Sequence, residues 1–110
     1  MNTSDKGRSA ENLVAEYLIE SGYQILKQNW RTKACEIDII AKKKKSIYFV
    51  EVKYRKNSIG GGGLEAITPA KLKQMQRSVE IWLSVNKWPG KIELLAAEVN
   101  SSGYINLVEC

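Results

Sequence analysis

Residues 35–54 read CEIDIIAKKKKSIYFVEVKY, two runs rich in Ile, Val, Tyr and Phe separated by lysines. Such runs, broken by a short polar turn, predict a β-hairpin with strands over 35–41 and 47–54. Residues two apart in a strand share a face. Glu36 and Asp38 therefore project side by side from one strand, and Glu51 and Lys53 from the other. A turn of two residues (Lys44 and Lys45) or of four (43–46) sets Asp38 opposite Glu51 and Glu36 opposite Lys53. Glu36 and Lys53 can partly neutralise each other, but Asp38 and Glu51 are like charges face to face, which destabilises a sheet. In a dry setting such crowding also raises at least one carboxyl pKa. A hard divalent cation, Mg²⁺ or Mn²⁺, resolves the conflict, because such ions take oxygen ligands from one or two carboxylates. The competing reading is a solvent-exposed ion-pair ladder of Glu36 and Asp38 with Lys53 and neighbouring lysines. The residues alone leave both open.

Outward from the hairpin, the N-terminal side predicts a helix over 4–21, in which Ala10, Leu13, Val14, Tyr17 and Leu18 recur at helical spacing and Gly22 supplies a stop. Glu16 and Glu20 fall on its outer side, whereas Glu11 borders the apolar stripe and is read first as an acid favoured by the helix dipole. A strand over 23–30 follows. Beyond the hairpin, 55–63 reads as a loop ending in four glycines that lacks the pattern of a phosphate-cradling loop. Thr68 and Pro69 cap a second helix whose predicted buried face is Leu72, Met75, Val79, Trp82 and Leu83, with Lys71, Lys73 and Arg77 on its other faces. Pro89-Gly90 ends that element. Strands over 92–99 and 104–108 close the chain around a turn at 100–103. The expected architecture is one α/β domain spanning 1–110, a mixed β-sheet flanked by helices in the order α-β-β-β-α-β-β.

The chain carries no histidine, which removes Ser-His-Asp and Cys-His hydrolases and His-ligated zinc sites. Its two cysteines are too few for a disulfide scaffold; Cys35 reads as a small core residue and Cys110 as a terminal thiol. There is neither an apolar run long enough to span a bilayer nor a signal-peptide pattern, so a cytoplasmic protein with no membrane partner is the expectation. The net charge of +5 is unevenly placed: residues 27–56 hold ten Lys and Arg against three acids, a local +7. Those three acids are Glu36, Asp38 and Glu51. Clustered Lys and Arg are the footprint of a polyanion partner, and the candidate nucleic-acid contacts are Lys33, Lys42, Lys43, Lys44, Lys45, Arg55 and Lys56. A metal held by Asp38 and Glu51, with the Val52 carbonyl, would polarise a phosphodiester. Lys53 would orient the attacking water or stabilise the developing charge, and the lysines would hold the polymer backbone.

The segments GRSAENLVAEYLIESGYQILKQNWR, CEIDIIA, FVEVKYR and EAITPAKLKQ resemble, in order and spacing, the YraN family of small bacterial proteins. These are predicted nucleases of the PD-(D/E)XK, restriction-endonuclease-like superfamily, similar to archaeal Holliday-junction resolvases. The resemblance implies a restriction-endonuclease-like fold and Mg²⁺- or Mn²⁺-dependent hydrolysis of DNA, with branched or structured DNA as a candidate substrate and a homodimer as a candidate assembly. It implies that Asp38 binds the metal, that Glu51-Val52-Lys53 is the E-x-K element, and that Glu11 is the helix carboxylate that approaches the metal. Glu36 is implied as a supporting residue. A module of the same fold that binds nucleic acid without cleaving it is the alternative. Cys35 and Ala10 stand where this family usually has glycine, and Glu93 where it has aspartate.

Overall fold

A computed structural model describes residues 3–55 and 67–110 of the chain. The elements are α1 (Thr3–Glu20), β1 (Gln24–Arg31), β2 (Glu36–Lys43), β3 (Ser46–Arg55), α2 (Pro69–Val85), β4 (Lys91–Asn100) and β5 (Ile105–Glu109). The order is the expected α-β-β-β-α-β-β. The five strands form one mixed sheet in spatial order β1-β2-β3-β4-β5. Neighbours run antiparallel except β3 and β4, which are parallel. A parallel pair needs a crossover connection, and α2 lies within it. The glycine run at 60–63 and Lys56 lie outside the described residues. No helix among the described residues is long and apolar enough to cross a membrane.

The sheet is buried on both faces. Under α1, Ala10, Val14, Ala15 and Leu18 pack on Ile39, Ala41, Val50, Leu95, Ala97 and Val99. On the opposite face, Met75 of α2 joins Ile37, Ile40, Ile47 and Phe49, with Val79 and Trp82 packed alongside. The helical stripes are narrower than periodicity predicts. Leu13 and Tyr17 are exposed, as is Leu83, because a helix lying on a sheet buries only the stripe of residues turned toward it. Ser78 takes a fully buried place on α2, its hydroxyl donating to the Gln74 carbonyl at 2.9 Å. Thr68 caps α2 as expected, its Oγ1 accepting from the Lys71 amide at 3.1 Å. The helix stops at Val85, capped by Asn86, rather than running to Pro89-Gly90. Gly90 instead brings the chain against the hairpin: a Cβ there would collide with the Lys45 carbonyl, and the next residue, Lys91, donates its amide to that carbonyl at 2.9 Å.

The β2–β3 hairpin turns on Lys44 and Lys45, with Lys44 in the left-handed region at φ 56°. Its ladder runs from Lys43↔Ser46 to Ile39↔Val50 and stops there. At the same point the alternation of β2 slips. Ile37 and Ile40 both pack under α2, whereas Ile39 and Ala41 pack under α1. Two consecutive residues, Asp38 and Ile39, thus lean toward α1. β2 stays with β1 as far as Arg31↔Glu36, while β3 stays with β4 as far as Arg55↔Asn100. The central hairpin opens into a fork, and the acidic residues stand in it.

Candidate metal centre

Continuation of the register would set Asp38 against Glu51, as the turn length predicts, but no backbone pair forms there. Asp38 supplies the missing acceptor itself: the Val52 amide donates to its Oδ2 at 2.8 Å. A backbone donor facing an open fork needs such a partner. In a strand, the carbonyl of a residue leaves on the same edge as its amide. Val52 therefore turns its carbonyl toward the fork as well.

Glu51 lies on the other wall and is 5% exposed. Lys71, from the first turn of α2, places Nζ 3.1 Å from Glu51 Oε1, whereas Oε2 is buried with no hydrogen-bond partner among the described residues. Burial and the charge of Asp38 push the Glu51 carboxyl up to about 7, against the opposing pull of Lys71 and Lys53. Lys53 follows on the same face of β3 and is half-buried.

Glu11 reaches the site from α1. Its carboxyl is pushed up to about 7, first by burial and then by a hydrogen bond to Asp38 and the charge of that residue, with the Asn29 side chain pulling the other way. The helix places this acid beside Asp38, where a role confined to the helix dipole would leave it in solvent. Both layers of the fold thus contribute to one fork: Glu11 from above the sheet and Lys71 from below.

Two expectations about ion pairing change. Glu36 does not meet Lys53. It pairs with Arg31 on β1, Nε to Oε2 at 3.2 Å, because these residues are cross-strand partners. The exposed ladder of Glu36, Asp38 and Lys53 is likewise not formed, since Glu51 is buried and Asp38 is engaged in the fork. Lys71 is the residue that sequence reasoning missed. It was assigned to an outer face of α2, and the signal available was its position in the Thr68-Pro69 opening turn.

The lysine run lies elsewhere. Lys44, in the turn that follows β2, is six residues from Asp38, about 20 Å at the rise of a strand, at the closed end of the hairpin. Lys43 donates to the Ser21 carbonyl at 2.9 Å and sits 4.8 Å from the Tyr23 ring centre, while Lys42 lies 5.0 Å from the Trp88 ring centre. Lys44 and Lys45 are exposed at the tip. Lys33 is exposed in the β1–β2 turn, and Arg55 closes β3. Adjacency in sequence therefore did not translate into one continuous site.

Among the described residues no three His, Cys, Asp or Glu side chains form a ready metal cluster. The donor set nonetheless suits a hard cation that keeps several waters: the Asp38 carboxylate, the Glu51 Oε2 that has no partner among the described residues, and the Val52 carbonyl. It does not suit zinc, which prefers nitrogen and sulfur ligands. A thiol also lies near: burial and the charge of Glu51 push Cys110 up.

The model of a family described as "Uncharacterised protein family UPF0102" matches residues 10–104, a span that includes Glu11, Asp38, Glu51, Lys53 and Lys71. The chain is 43% identical over 81 residues to a UPF0102 protein of Vibrio campbellii, covering 74% of this chain and 66% of that protein. It is 42% identical over 85 residues to one of Chlorobium phaeobacteroides, with 77% and 68% covered. A third, from Lachnoclostridium phytofermentans, is 43% identical over 89 residues, with 81% and 75% covered. The aligned stretch thus spans about two thirds to three quarters of these relatives.

Proposed function

The chain belongs to the UPF0102 family, whose description assigns no activity, and we propose from its site that it is a metal-dependent nuclease hydrolysing phosphodiesters of DNA, a YraN-type member of the PD-(D/E)XK superfamily. The observation that carries this reading is Glu51: a buried carboxylate within the field of Asp38, with one oxygen on Lys71 and the other without a partner among the described residues. A buried acid that costs this much to ionise is compensated when a cation joins it.

Asp38, Glu51 and the Val52 carbonyl would hold Mg²⁺ or Mn²⁺, with Glu11 approaching through Asp38. A divalent ion bound there supplies Lewis acidity and neutralises charge on a phosphodiester. Lys53, beside Glu51 on β3, orients the attacking water or stabilises negative charge as it develops on the phosphorus oxygens. Lys71 holds Glu51 in place. The Val52 amide, donating to Oδ2, holds the Asp38 carboxylate in the fork. Glu36 and Arg31 form a charged rim outside the carboxylates.

The test is cleavage of linear, nicked and four-way-junction DNA by purified protein with Mg²⁺ or Mn²⁺, compared with Asp38→Asn. Cleavage that needs the metal and disappears in the variant is expected. Equal activity of the variant, or activity that survives chelator, would sink the mechanism. Salt-sensitive DNA binding without turnover under either metal would favour the non-cleaving module, which the exposed Lys44 and Lys45 would serve.

A further inference from the structure

Between the β1–β2 turn and α2, a cavity of about 180 Å³ is lined by Ala34, Ala70, Lys73, Gln74 and Arg77. One wall is the β1–β2 turn. That turn is built rather than loose: Thr32 Oγ1 accepts from the amides of Ala34 and Cys35, each at 3.1 Å, and the Thr32 amide donates to the Cys35 carbonyl at 2.8 Å. The other wall is the helix. Ala70, Lys73, Gln74 and Arg77 recur at helical spacing and present one face to the groove. Small residues, Ala34 and Ala70, leave the space open between the two walls.

The groove has one sign of charge. Lys73 and Arg77 are exposed and take part in no ion pair among the described residues, and Lys33 adjoins the groove through Ala34. The nearest acid across the turn, Glu36, is already matched by Arg31. On the adjoining flank of the same helix, Lys71 touches Glu51. From Lys73 to Arg77 the helix rises about 6 Å, the rise over about two successive phosphates of one nucleic-acid strand. Lys73 and Arg77 thus share one face of α2, on a different side of the helix from the Lys71 that meets Glu51.

We propose that this groove is the docking channel for the nucleic-acid backbone flanking the scissile phosphate, with Lys73 and Arg77 as its phosphate contacts and Gln74 as a neutral hydrogen-bonding group between them. The inference rests on the nuclease reading above and adds to it the path of the substrate, which runs over α2 and away from the lysine tip of the hairpin. Lys73 and Arg77 are binding and positioning residues; they touch the strand, not the reacting atoms.

The experiment measures binding of fluorescent single-stranded, duplex and junction oligonucleotides by the full chain in chelator, over a range of salt. Wild type is compared with Lys73→Gln, Arg77→Gln, the pair together, and Lys87→Gln as an exposed charge control on the far side of the helix end. The double variant should lose about tenfold in affinity and lower the slope of log affinity against log salt by about 2, one for each phosphate contact removed. Each single variant should lower it by about 1, and Lys87→Gln should leave it unchanged. Wild-type binding with the same affinity and slope in the double variant would overturn the channel and leave the nuclease reading standing. A wild-type chain that neither binds nor cleaves any of these nucleic acids would overturn both.

Discussion

Glu51 Oε1 lies 3.1 Å from Lys71 Nζ, while the other oxygen of the same carboxylate is buried without a partner among the described residues. The ion pair links a central strand to the first turn of the crossover helix, so a buried charge is compensated by a residue twenty positions away in the chain. Removing that cation leaves Glu51 the choice of protonation or uncompensated burial. Lys71→Met should therefore lower stability by about 1–3 kcal/mol at pH 8.5, less than a fully buried pair because Lys71 retains solvent contact. At pH 5, where Glu51 is protonated in either protein, the loss should be under about 1 kcal/mol. Denaturant melts at the two pH values check this. An equal loss at both would show that Lys71 acts through packing alone.

The carboxyls of Glu51 and Glu11 rise from 4.5 to about 7 in the folded chain. An acid with a raised folded-state pKa holds more protons folded than unfolded between those values, so its contribution is largest at low pH and declines as pH rises toward 7. In chelator, thermal stability should accordingly fall between pH 5 and pH 8. Glu51→Gln should flatten that fall and be more stable than wild type at pH 8, since an amide carries no charge to bury. A variant that tracks wild type across the range would remove Glu51 as the cause.

Cation binding must displace these protons. At pH 7, titration with Mg²⁺ or Mn²⁺ should release on the order of one proton per ion, seen as a calorimetric heat that changes with the ionisation enthalpy of the buffer. The release should shrink in Glu51→Gln and Asp38→Asn. Buffer-independent heats in wild type would contradict a site built on these carboxyls.

Lys53 stands beside Glu51 on β3 and is assigned to charge developing during hydrolysis. Lys53→Ala should slow single-turnover cleavage about 100-fold with oligonucleotide affinity changed less than threefold. A loss that appears mainly in affinity would reassign Lys53 to the docking track with Lys73 and Arg77.

The closed end of the hairpin makes structural predictions free of any activity. Lys44 adopts φ 56°, costly for a side chain with a Cβ, so Lys44→Gly should stabilise the fold by about 1 kcal/mol. Gly90→Ala should do the opposite, by about 1–3 kcal/mol, because its new methyl meets the Lys45 carbonyl that anchors Lys91. Urea melts of the two variants check both signs.

Much of the candidate site was legible in residues 35–54. Alternating apolar residues marked both strands, and the lysine pair set the turn, but the ladder stops at Ile39↔Val50, one pair short of the expected Asp38–Glu51 opposition. The Thr68-Pro69 pair announced α2 to within a residue. Other features were illegible for specific reasons. Glu36 was assigned to Lys53, but the first strand pairs on the other edge of β2 and brings Arg31. The break in alternation at Asp38 follows from the fork, where β2 keeps β1 and β3 keeps β4. Resemblance to a known family, and not periodicity, brought in Glu11.

By itself the sequence determined the elements, their order and the hairpin register, because each rests on local propensity and on a period of two or 3.6 residues. Only the tertiary structure decided which charges meet. The rotation of α2 about its axis, set by Met75 and Ser78 seated against the sheet, aims Lys71 at Glu51 and turns Lys73 and Arg77 outward. The length of the ladder carries the lysine run to the far end of the hairpin. Position in space, not proximity in the chain, selected the cations that compensate the buried acid.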